Sequence, residues 1–245
     1  MNELSIKEIR NKYQYSSSDT WYARIVCRKF SAYFTWLFLH TPIIPNQLTS
    51  LMILMGIIGG IFLGMDGYLN GLIGALFFQL FLILDCVDGE VARAKKIFSA
   101  KGKFLDYIAN DIIFISIFSG LIFRIFNRDY KIFDFSLFHN PLVVIFGLSA
   151  VVFFLLSKIS SYYAKELDLG LSFKDKFSKV DSINAKIKLI MFHIIKNLNS
   201  PPTVIVIVTL GAIFNLFYFI LFFYGIFSPL YWLASLIIRL RSKKK

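Results

Sequence analysis

One run of the sequence places acidic residues beside two strongly apolar segments: Asp85-Cys86-Val87-Asp88-Gly89-Glu90-Val91-Ala92-Arg93, followed by Gly102 and Asp106. An ionisable side chain at membrane depth costs roughly 2.5–3.5 kcal/mol on insertion scales, so such residues usually mark a functional site. Clustered carboxylates repel one another unless a cation neutralises them. The run therefore predicts a cation site at the end of an apolar segment, with glycines that allow a ligand to approach the backbone.

The composition is that of a membrane protein. Hydrophobic residues make up 57% of the 245 residues and only 17% are charged, which excludes an ordinary soluble protein. A helix needs about 20 apolar residues to cross a bilayer. We therefore predict an all-α polytopic membrane protein, with residues 1–245 forming one integral-membrane domain. The six predicted transmembrane helices lie near 47–65, 67–87, 103–123, 140–163, 199–214 and 216–239.

The segment before the first span is basic and amphipathic. Residues 1–20 are polar and are expected to be loosely ordered. Residues 20–41 then predict a helix lying in the membrane interface, with basic residues on one side and apolar bulk on the other. The basic residues are Arg24, Arg28 and Lys29, and the apolar ones are Trp21, Ile25, Ala32, Tyr33, Trp36 and Leu37. The first span begins with Pro45-Asn46-x2-Thr49, in which Pro and Asn are ordinary helix-start residues.

A second amphipathic segment is predicted between Ser182 and Leu198. Apolar residues recur there at helical spacing, with lysines between them. A helix on the membrane surface is the favoured interpretation, and a helix that binds a partner protein is the alternative.

The distribution of basic residues predicts the orientation. Of the 27 Lys and Arg, six precede the first span, five lie between the second and third, eight lie in 158–196 and five lie in the C-terminal tail. Only Arg124, Arg128 and Lys131 fall in the remaining loop. Both termini are therefore expected in the cytoplasm, by the excess of positive charge on that side. The net charge of +12 then reflects topology and anionic lipid headgroups, and no nucleic-acid partner is expected.

The acidic run carries the predicted chemistry. Asp85 and Asp88 are three residues apart and share a helix face, and Asp106 lies one turn into the third span. Oxygen ligands suit Mg²⁺, Mn²⁺ or Ca²⁺ better than zinc. Arg93 offers a planar fork suited to phosphate. Carboxylates, a metal ion, an arginine and small residues together are what the binding and cleavage of a diphosphate require.

The spacing Asp85-x2-Asp88-Gly89-x2-Ala92-Arg93-x8-Gly102-x3-Asp106 resembles the signature of the CDP-alcohol phosphotransferase family. The resemblance covers residues 85–110 and is supported more weakly by the Pro45-Asn46-x2-Thr49 helix start, the basic interfacial helix before it and the plan of six spans. Members of this family transfer a phosphate-linked alcohol from a CDP-alcohol to an acceptor hydroxyl and release CMP. They are typically homodimers of six-helix protomers with a cavity open to the cytoplasm.

The resemblance implies a role for each matching residue. Mg²⁺ or Mn²⁺ would be held by Asp85, Asp88, Asp106 and Asn110. The CDP moiety would be bound by Asp85, Gly89, Ala92, Arg93 and Gly102. It also implies a CDP-alcohol donor, a hydroxyl acceptor of unknown identity and a product in phospholipid or surface-lipid biosynthesis. The expected location is the bacterial inner membrane, with the active site on the cytoplasmic side, in contact with membrane lipids.

Asn110 departs from the family's signature, which ends with a fourth aspartate at this position. An asparagine coordinates a metal through its carbonyl oxygen but does not accept a proton from the nucleophile. Asp111 is the adjacent carboxylate, and on a regular helix it points about 100° away from residue 110. A π-bulge would realign it. The open alternatives are that Asp111 acts as the base, that another group does, or that catalysis is impaired.

Two other functions are compatible with an acidic run in a membrane protein. One is a cation transporter that uses the carboxylates as an ion site. The other is a non-catalytic protein that binds a CDP-lipid, which Asn110 would permit. Cys27 and Cys86 are far apart in sequence and match no disulfide or zinc spacing, so Cys86 is expected to serve as a small apolar residue.

The 24-to-3 split of basic residues makes the topology testable. Single cysteines introduced near Gly67, Arg128 and Gly211 in a cysteine-free variant should react with a membrane-impermeant thiol reagent added to intact cells. A cysteine at position 95 should react only after the cells are opened. Labelling at position 95 from outside would contradict the predicted orientation.

Overall fold

The computed structural model describes residues 5–14, 22–128, 131–132, 135–136, 139–167 and 197–240. The second predicted amphipathic helix, Ser182–Leu198, lies almost entirely outside these residues. Within them the chain is helical apart from its connections and two short antiparallel strands of two residues each, β1 (Lys131–Ile132) and β2 (Phe135–Ser136). An all-α polytopic fold is therefore confirmed.

Three helical segments precede the membrane bundle. They are α1 (Ile6–Tyr13), a π-helical segment (Ala23–Cys27) and α2 (Arg28–Leu39), which follows it directly. The expectation of a loosely ordered N-terminus is wrong for α1, because Ser5 and Glu8 form a reciprocal capping box at its start. The interfacial helix expected at 20–41 corresponds to the π-helical segment and α2.

The membrane bundle is built from six further helices. They are α3 (Pro45–Gly64), α4 (Tyr68–Lys95), α5 (Ala100–Phe126), α6 (Pro141–Glu166), α7 (Pro201–Phe214) and α8 (Phe217–Leu240). Five of them, all except α7, are long and apolar enough to cross a membrane. With 14 residues, α7 rises only about 21 Å against a hydrocarbon core of about 30 Å. The sixth crossing therefore remains a prediction.

The helix α4 continues well past the end of the second predicted span. That span was placed at 67–87, whereas α4 runs to Lys95 and ends where Lys96 adopts the left-handed conformation with φ 56°. Residues 85–95 include no Pro and remain helical, so the acidic run lies on a helix rather than in a loop. This extension places Asp85 and Asp88 of the run beside α5 and α3.

Glycines let α3, α4 and α5 approach one another closely. A Cβ atom on Gly74 of α4 would lie 2.8 Å from the carbonyl oxygen of Gly59, and one on Gly120 of α5 would lie 2.5 Å from that of Gly60. Both distances are shorter than any side chain tolerates, so the two contacts require glycine. Close backbone approach through small residues is the usual basis of helix association in membranes. Here it places α3 between α4 and α5.

Arg124 is buried inside α5, and its assignment to a loop is wrong. Its exposed fraction is 0%, and its guanidinium donates to the carbonyl oxygens of Leu63, Met65 and Gly67 at 3.0, 2.6 and 2.8 Å. The ring of Phe217 lies 4.4 Å from the guanidinium carbon. Since the last carbonyls of a helix lack partners within it, Arg124 stabilises the end of α3 and the turn into α4.

The tight contact at Gly120 predicts a size limit. Gly120→Ala should destabilise the protein by roughly 1–3 kcal/mol, because the added methyl group meets the Gly60 carbonyl of a neighbouring helix. Gly64→Ala is the matched control, since its Cβ atom would find no atom nearer than 3.5 Å. Thermal unfolding in detergent should therefore show a lower Tm for the first variant alone. Equal Tm values would contradict the proposed contact.

Candidate active site

A cavity of about 480 Å³ lies where α4 ends and α5 begins. Its walls come from the first turns of α3, the C-terminal part of α4, the connection at 97–99 and the first turns of α5. The predicted site residues that line it are Asp88, Gly89, Ala92, Gly102 and Asp106. The others, Asp85, Arg93, Asn110 and Asp111, adjoin these residues along α4 and α5 without lining the cavity.

The three carboxylates of the acidic run neighbour one another. The side chains of Asp85 and Asp106 lie within hydrogen-bonding reach, so α4 and α5 meet at this level. Asp88 is electrostatically close to both. Its Oδ2 atom accepts a hydrogen bond of 2.9 Å from Thr49 Oγ1 on α3, which fixes the orientation of this carboxylate.

Two small residues shape the cavity wall by letting polar groups approach. A Cβ atom on Gly89 would lie 3.3 Å from Arg93 Nη1, so the guanidinium of Arg93 rests against Gly89. Arg93 is also held from the other side, because its Nε atom donates to the Tyr13 carbonyl oxygen at 2.7 Å. A Cβ atom on Gly102 would lie 2.6 Å from Asn46 Oδ1, so an alanine there would displace the Asn46 amide.

The connection before α3 is fixed to α4 by Lys95. Its Nζ atom donates to the carbonyl oxygens of Thr41 and Ile43 at 2.8 and 2.7 Å. The chain then enters α3 at Pro45, which needs no N–H partner in the first turn. This arrangement delivers Asn46 and Thr49 to the cavity.

Asn110 contacts Asp106 directly. Its Nδ2 atom donates to the Asp106 carbonyl oxygen at 2.9 Å and more weakly to the Asp106 carboxylate at 3.3 Å. Position 110, where the resemblance led us to expect a fourth carboxylate, therefore carries a neutral group that donates a hydrogen bond to Asp106. The negative charge of the cluster is one unit lower than a carboxylate at this position would make it.

Asp111 points toward α6 and forms an ion pair with Lys158. The hypothesis of a π-bulge is wrong, because α5 is α-helical from Ala100 to Phe126 and π-helical hydrogen bonding occurs at Ala23–Cys27 instead. Without a bulge, the 100° step between adjacent helical residues carries Asp111 away from the cavity. Lys158 also acts electrostatically on Asp106, which places its ammonium group near the acidic cluster.

The donor types in this cluster fit a hard divalent cation. Carboxylate and amide oxygens are the ligands that Mg²⁺ and Mn²⁺ prefer. Within the described residues, however, no group of three His, Cys, Asp or Glu side chains already surrounds a point that a metal ion could occupy. Binding would therefore require the carboxylates to turn toward a shared centre.

Sequence reasoning missed three contributions to this site. Thr49 and Asn46 were interpreted mainly as helix-start residues, although their pattern was also the weaker part of the family resemblance. Glu90 was not singled out at all, yet it is completely buried directly behind Gly89. Its partners lie 55–62 residues earlier in the chain, too far away for any local pattern to reveal the contact.

The two cysteines are also neighbours in space. Cys27 and Cys86 are 1% and 7% exposed, and their side chains lie within hydrogen-bonding reach. Both side chains are thiols rather than halves of a disulfide. Their separation in sequence hid this contact between the N-terminal helix and α4.

The sequence matches the family model of the CDP-alcohol phosphatidyltransferases over residues 42–237. No curated protein matches the sequence. The matched segment includes the cavity, the acidic run and all six helices of the bundle, and it begins after α2. It spans most of the chain, and its motif residues meet around one cavity at the end of the bundle. The chain therefore belongs to the CDP-alcohol phosphatidyltransferase family.

Proposed function

We propose that this protein transfers a phosphate-linked alcohol from a CDP-alcohol to an acceptor hydroxyl, in a reaction that depends on Mg²⁺ or Mn²⁺. The family supplies the reaction class, which is transfer of a phosphoalcohol from a CDP-alcohol. The observation that carries the proposal is the convergence of Asp85, Asp88 and Asp106 beside a cavity of about 480 Å³ with small residues in its wall. A nucleotide diphosphate needs such a site, open to its phosphates and rich in oxygen ligands for a cation.

Residues in and beside the cavity have different proposed roles in binding. Asp85, Asp88, Asp106 and the Asn110 side-chain oxygen are the proposed metal ligands. Gly89, Ala92 and Gly102 allow the CDP moiety to approach the helix backbones, and Arg93 binds phosphate beside them. A divalent cation held by these ligands would offset the charge of the diphosphate and the negative charge that develops on CMP as it leaves.

The proposed reaction is a substitution at phosphorus. The acceptor oxygen forms a bond to the phosphorus that carries the alcohol, while the bond from that phosphorus to the bridging oxygen breaks and CMP leaves with that oxygen. The hydroxyl proton passes to a carboxylate. Asp88 or Asp106 is favoured for this role over Asp111, because both line the cavity whereas Asp111 is paired with Lys158. A general base of this kind is usually worth about 10²–10⁴ in rate.

The predicted topology and the family membership support a proposal for where the protein works. We propose that the protein is a homodimer in the bacterial inner membrane and that the cavity opens to the cytoplasm, where CDP-linked substrates are made. A CDP-diacylglycerol donor would give a phospholipid or its precursor, and a soluble CDP-polyol would give part of a surface polymer or an unusual lipid. Lys158, whose charge acts on Asp106, is one of the described cations near the cluster that a phosphorylated acceptor would meet.

A second function is favoured by one specific observation. The amide of Asn110 donates a hydrogen bond to Asp106, and the neighbouring Asp111 is tied up by Lys158. A family member with this arrangement could hold a CDP-lipid without turning it over. The two functions are separated by whether the purified protein releases CMP from a panel of CDP-alcohols and acceptors.

The metal proposal predicts that Asp106→Ala abolishes both Mn²⁺ binding and CMP release. Asp106 is the carboxylate that α5 contributes beside Asp85 and Asp88 of α4. Its removal takes away one proposed metal ligand and leaves only the two carboxylates on α4. Mn²⁺ binding is measured by electron paramagnetic resonance and turnover by released CMP. Asp66→Ala is the matched control, since that carboxylate is exposed and pairs with Arg128 in the turn before α4. Normal turnover in EDTA would overturn the proposal.

The position of Asp111 predicts a mild phenotype. Asp111→Asn should keep kcat within a few-fold of wild type, because the proposed base lies in the cavity rather than beside Lys158. Asn110→Asp should remain active, since it restores the carboxylate of the family's signature. A loss of about 10²–10⁴ in Asp111→Asn, with Mn²⁺ affinity unchanged, would instead identify Asp111 as the base. Activity in Asn110→Asp but none in wild type would establish the non-catalytic binder.

A further inference from the structure

Glu90 is a completely buried carboxylate in the middle of the acidic run. Its Oε1 atom accepts hydrogen bonds from Arg28 Nη1 at 2.8 Å and Ser31 Oγ at 2.7 Å, and its Oε2 atom accepts one from Thr35 Oγ1 at 2.6 Å. All three donors come from α2. An ionised carboxylate is very costly to bury unless donors surround it, and this one is bound by a cation and two hydroxyl groups.

The contact sets how α2 lies on the bundle. Arg28, Ser31 and Thr35 follow one another at intervals of three and four residues, so they share a single face of α2. Apolar side chains on the outer surface of this helix are exposed, including Tyr33 at 55% and Leu37 at 51%. The interfacial helix is thus held to α4 by its polar face, which leaves apolar residues outside for lipid.

Contacts continue from α2 to Arg93. Gln14, at the end of α1, donates from Nε2 to the Arg28 carbonyl oxygen at 2.8 Å and to Ser31 Oγ at 3.4 Å. The adjacent residue, Tyr13, accepts the hydrogen bond from Arg93 Nε at 2.7 Å. Hydrogen bonds therefore connect Glu90 of α4 to α2, α2 to the end of α1, and α1 back to α4 at Arg93, three residues after Glu90.

This series of contacts ends at Arg93, beside the wall of the cavity. The guanidinium of Arg93 rests against Gly89, which lines the cavity and directly precedes Glu90. Asp88 and Glu90 are two helical positions apart and therefore point to nearly opposite sides of α4, one toward Thr49 and the other toward α2. Hydrogen bonds thus hold α4 from both sides at the level of the site.

We propose that Glu90 is a positioning residue for Arg93: by docking α2 and α1 onto α4, it holds the guanidinium where it meets the phosphates of a CDP substrate. The phosphate-binding role of Arg93 rests on the proposed function, whereas the docking of the helices does not. The family match begins at residue 42, so α1 and α2 lie before the matched segment and Glu90 joins them to the matched bundle.

The first test is a double-mutant cycle on ligand affinity. With full-length protein in detergent and Mg²⁺ present, calorimetry with CMP as the probe should show Kd raised about tenfold in Glu90→Gln. Arg93→Ala should raise it by at least as much. Glu90→Gln should add little in the Arg93→Ala background, because the residue acts through Arg93. Glu166→Gln, an exposed glutamate at the end of α6, is the matched control and should bind CMP as wild type does.

The second test needs no ligand. Cys27 immediately precedes α2 and Cys86 lies on α4. The burial of these two thiols therefore reports that α2 is docked on α4. Both should react with a maleimide about tenfold faster in Glu90→Gln than in wild type, because local opening becomes easier. Thr35→Val removes one hydrogen bond and keeps the shape, so it should give a smaller change in the same direction. This milder variant serves if Glu90→Gln does not fold.

Each outcome is decisive. Unchanged thiol reactivity in Glu90→Gln, or in Thr35→Val where only that variant folds, would overturn the docking role. Additive effects on Kd in the double-mutant cycle would overturn the positioning of Arg93 and leave Glu90 a purely structural residue. If wild-type protein binds no CMP, the proposed function fails, and thiol reactivity alone then decides whether Glu90 docks the helices.

Discussion

The close approach of α3 to both α4 and α5 is the constraint on which the site depends. At the Gly59–Gly74 and Gly60–Gly120 contacts the backbones nearly touch, so α3 has little freedom to slide or rotate against either neighbour. Thr49 lies ten residues before Gly59 on α3, and Asp88 lies fourteen residues after Gly74 on α4. Rigid helices transmit the register over these lengths, about 15–20 Å, and deliver Thr49 to Asp88 and Asp106 to Asp85.

Charges are buried at both ends of this bundle, and they are satisfied in different ways. At one end, Arg124 is bound by backbone carbonyls that helix geometry leaves without partners. At the other, Glu90 is bound by side chains from a helix outside the bundle. The first arrangement closes a turn within the fold. The second couples a separate element to the site, so a change at the membrane interface would reach the cavity through α2.

Sequence reasoning grouped residues that are neighbours in space where they follow a short, regular spacing. Asp88, Gly89, Ala92, Gly102 and Asp106 were grouped by their intervals and by the family resemblance, and they line one cavity. It failed where a role depends on a distant partner. Arg124 looked like a loop cation because its carbonyl partners belong to a turn some 60 residues earlier. Glu90 went unnoticed for the same reason. The capping box of α1 was the exception, since Ser5-x2-Glu8 is a local signal that was present and overlooked.

Asn110 shows how one neutral residue changes the electrostatics of such a site. Two unit charges 4 Å apart interact by about 4 kcal/mol at an effective dielectric constant of 20, so a fourth carboxylate beside Asp106 would be costly without a bound cation. The Asn110 amide removes that repulsion and adds a hydrogen bond to Asp106. The cluster is thereby more stable when empty, and it attracts a divalent cation less strongly than four carboxylates would. A neutral residue at position 110 therefore shifts the balance between the empty and the metal-bound site.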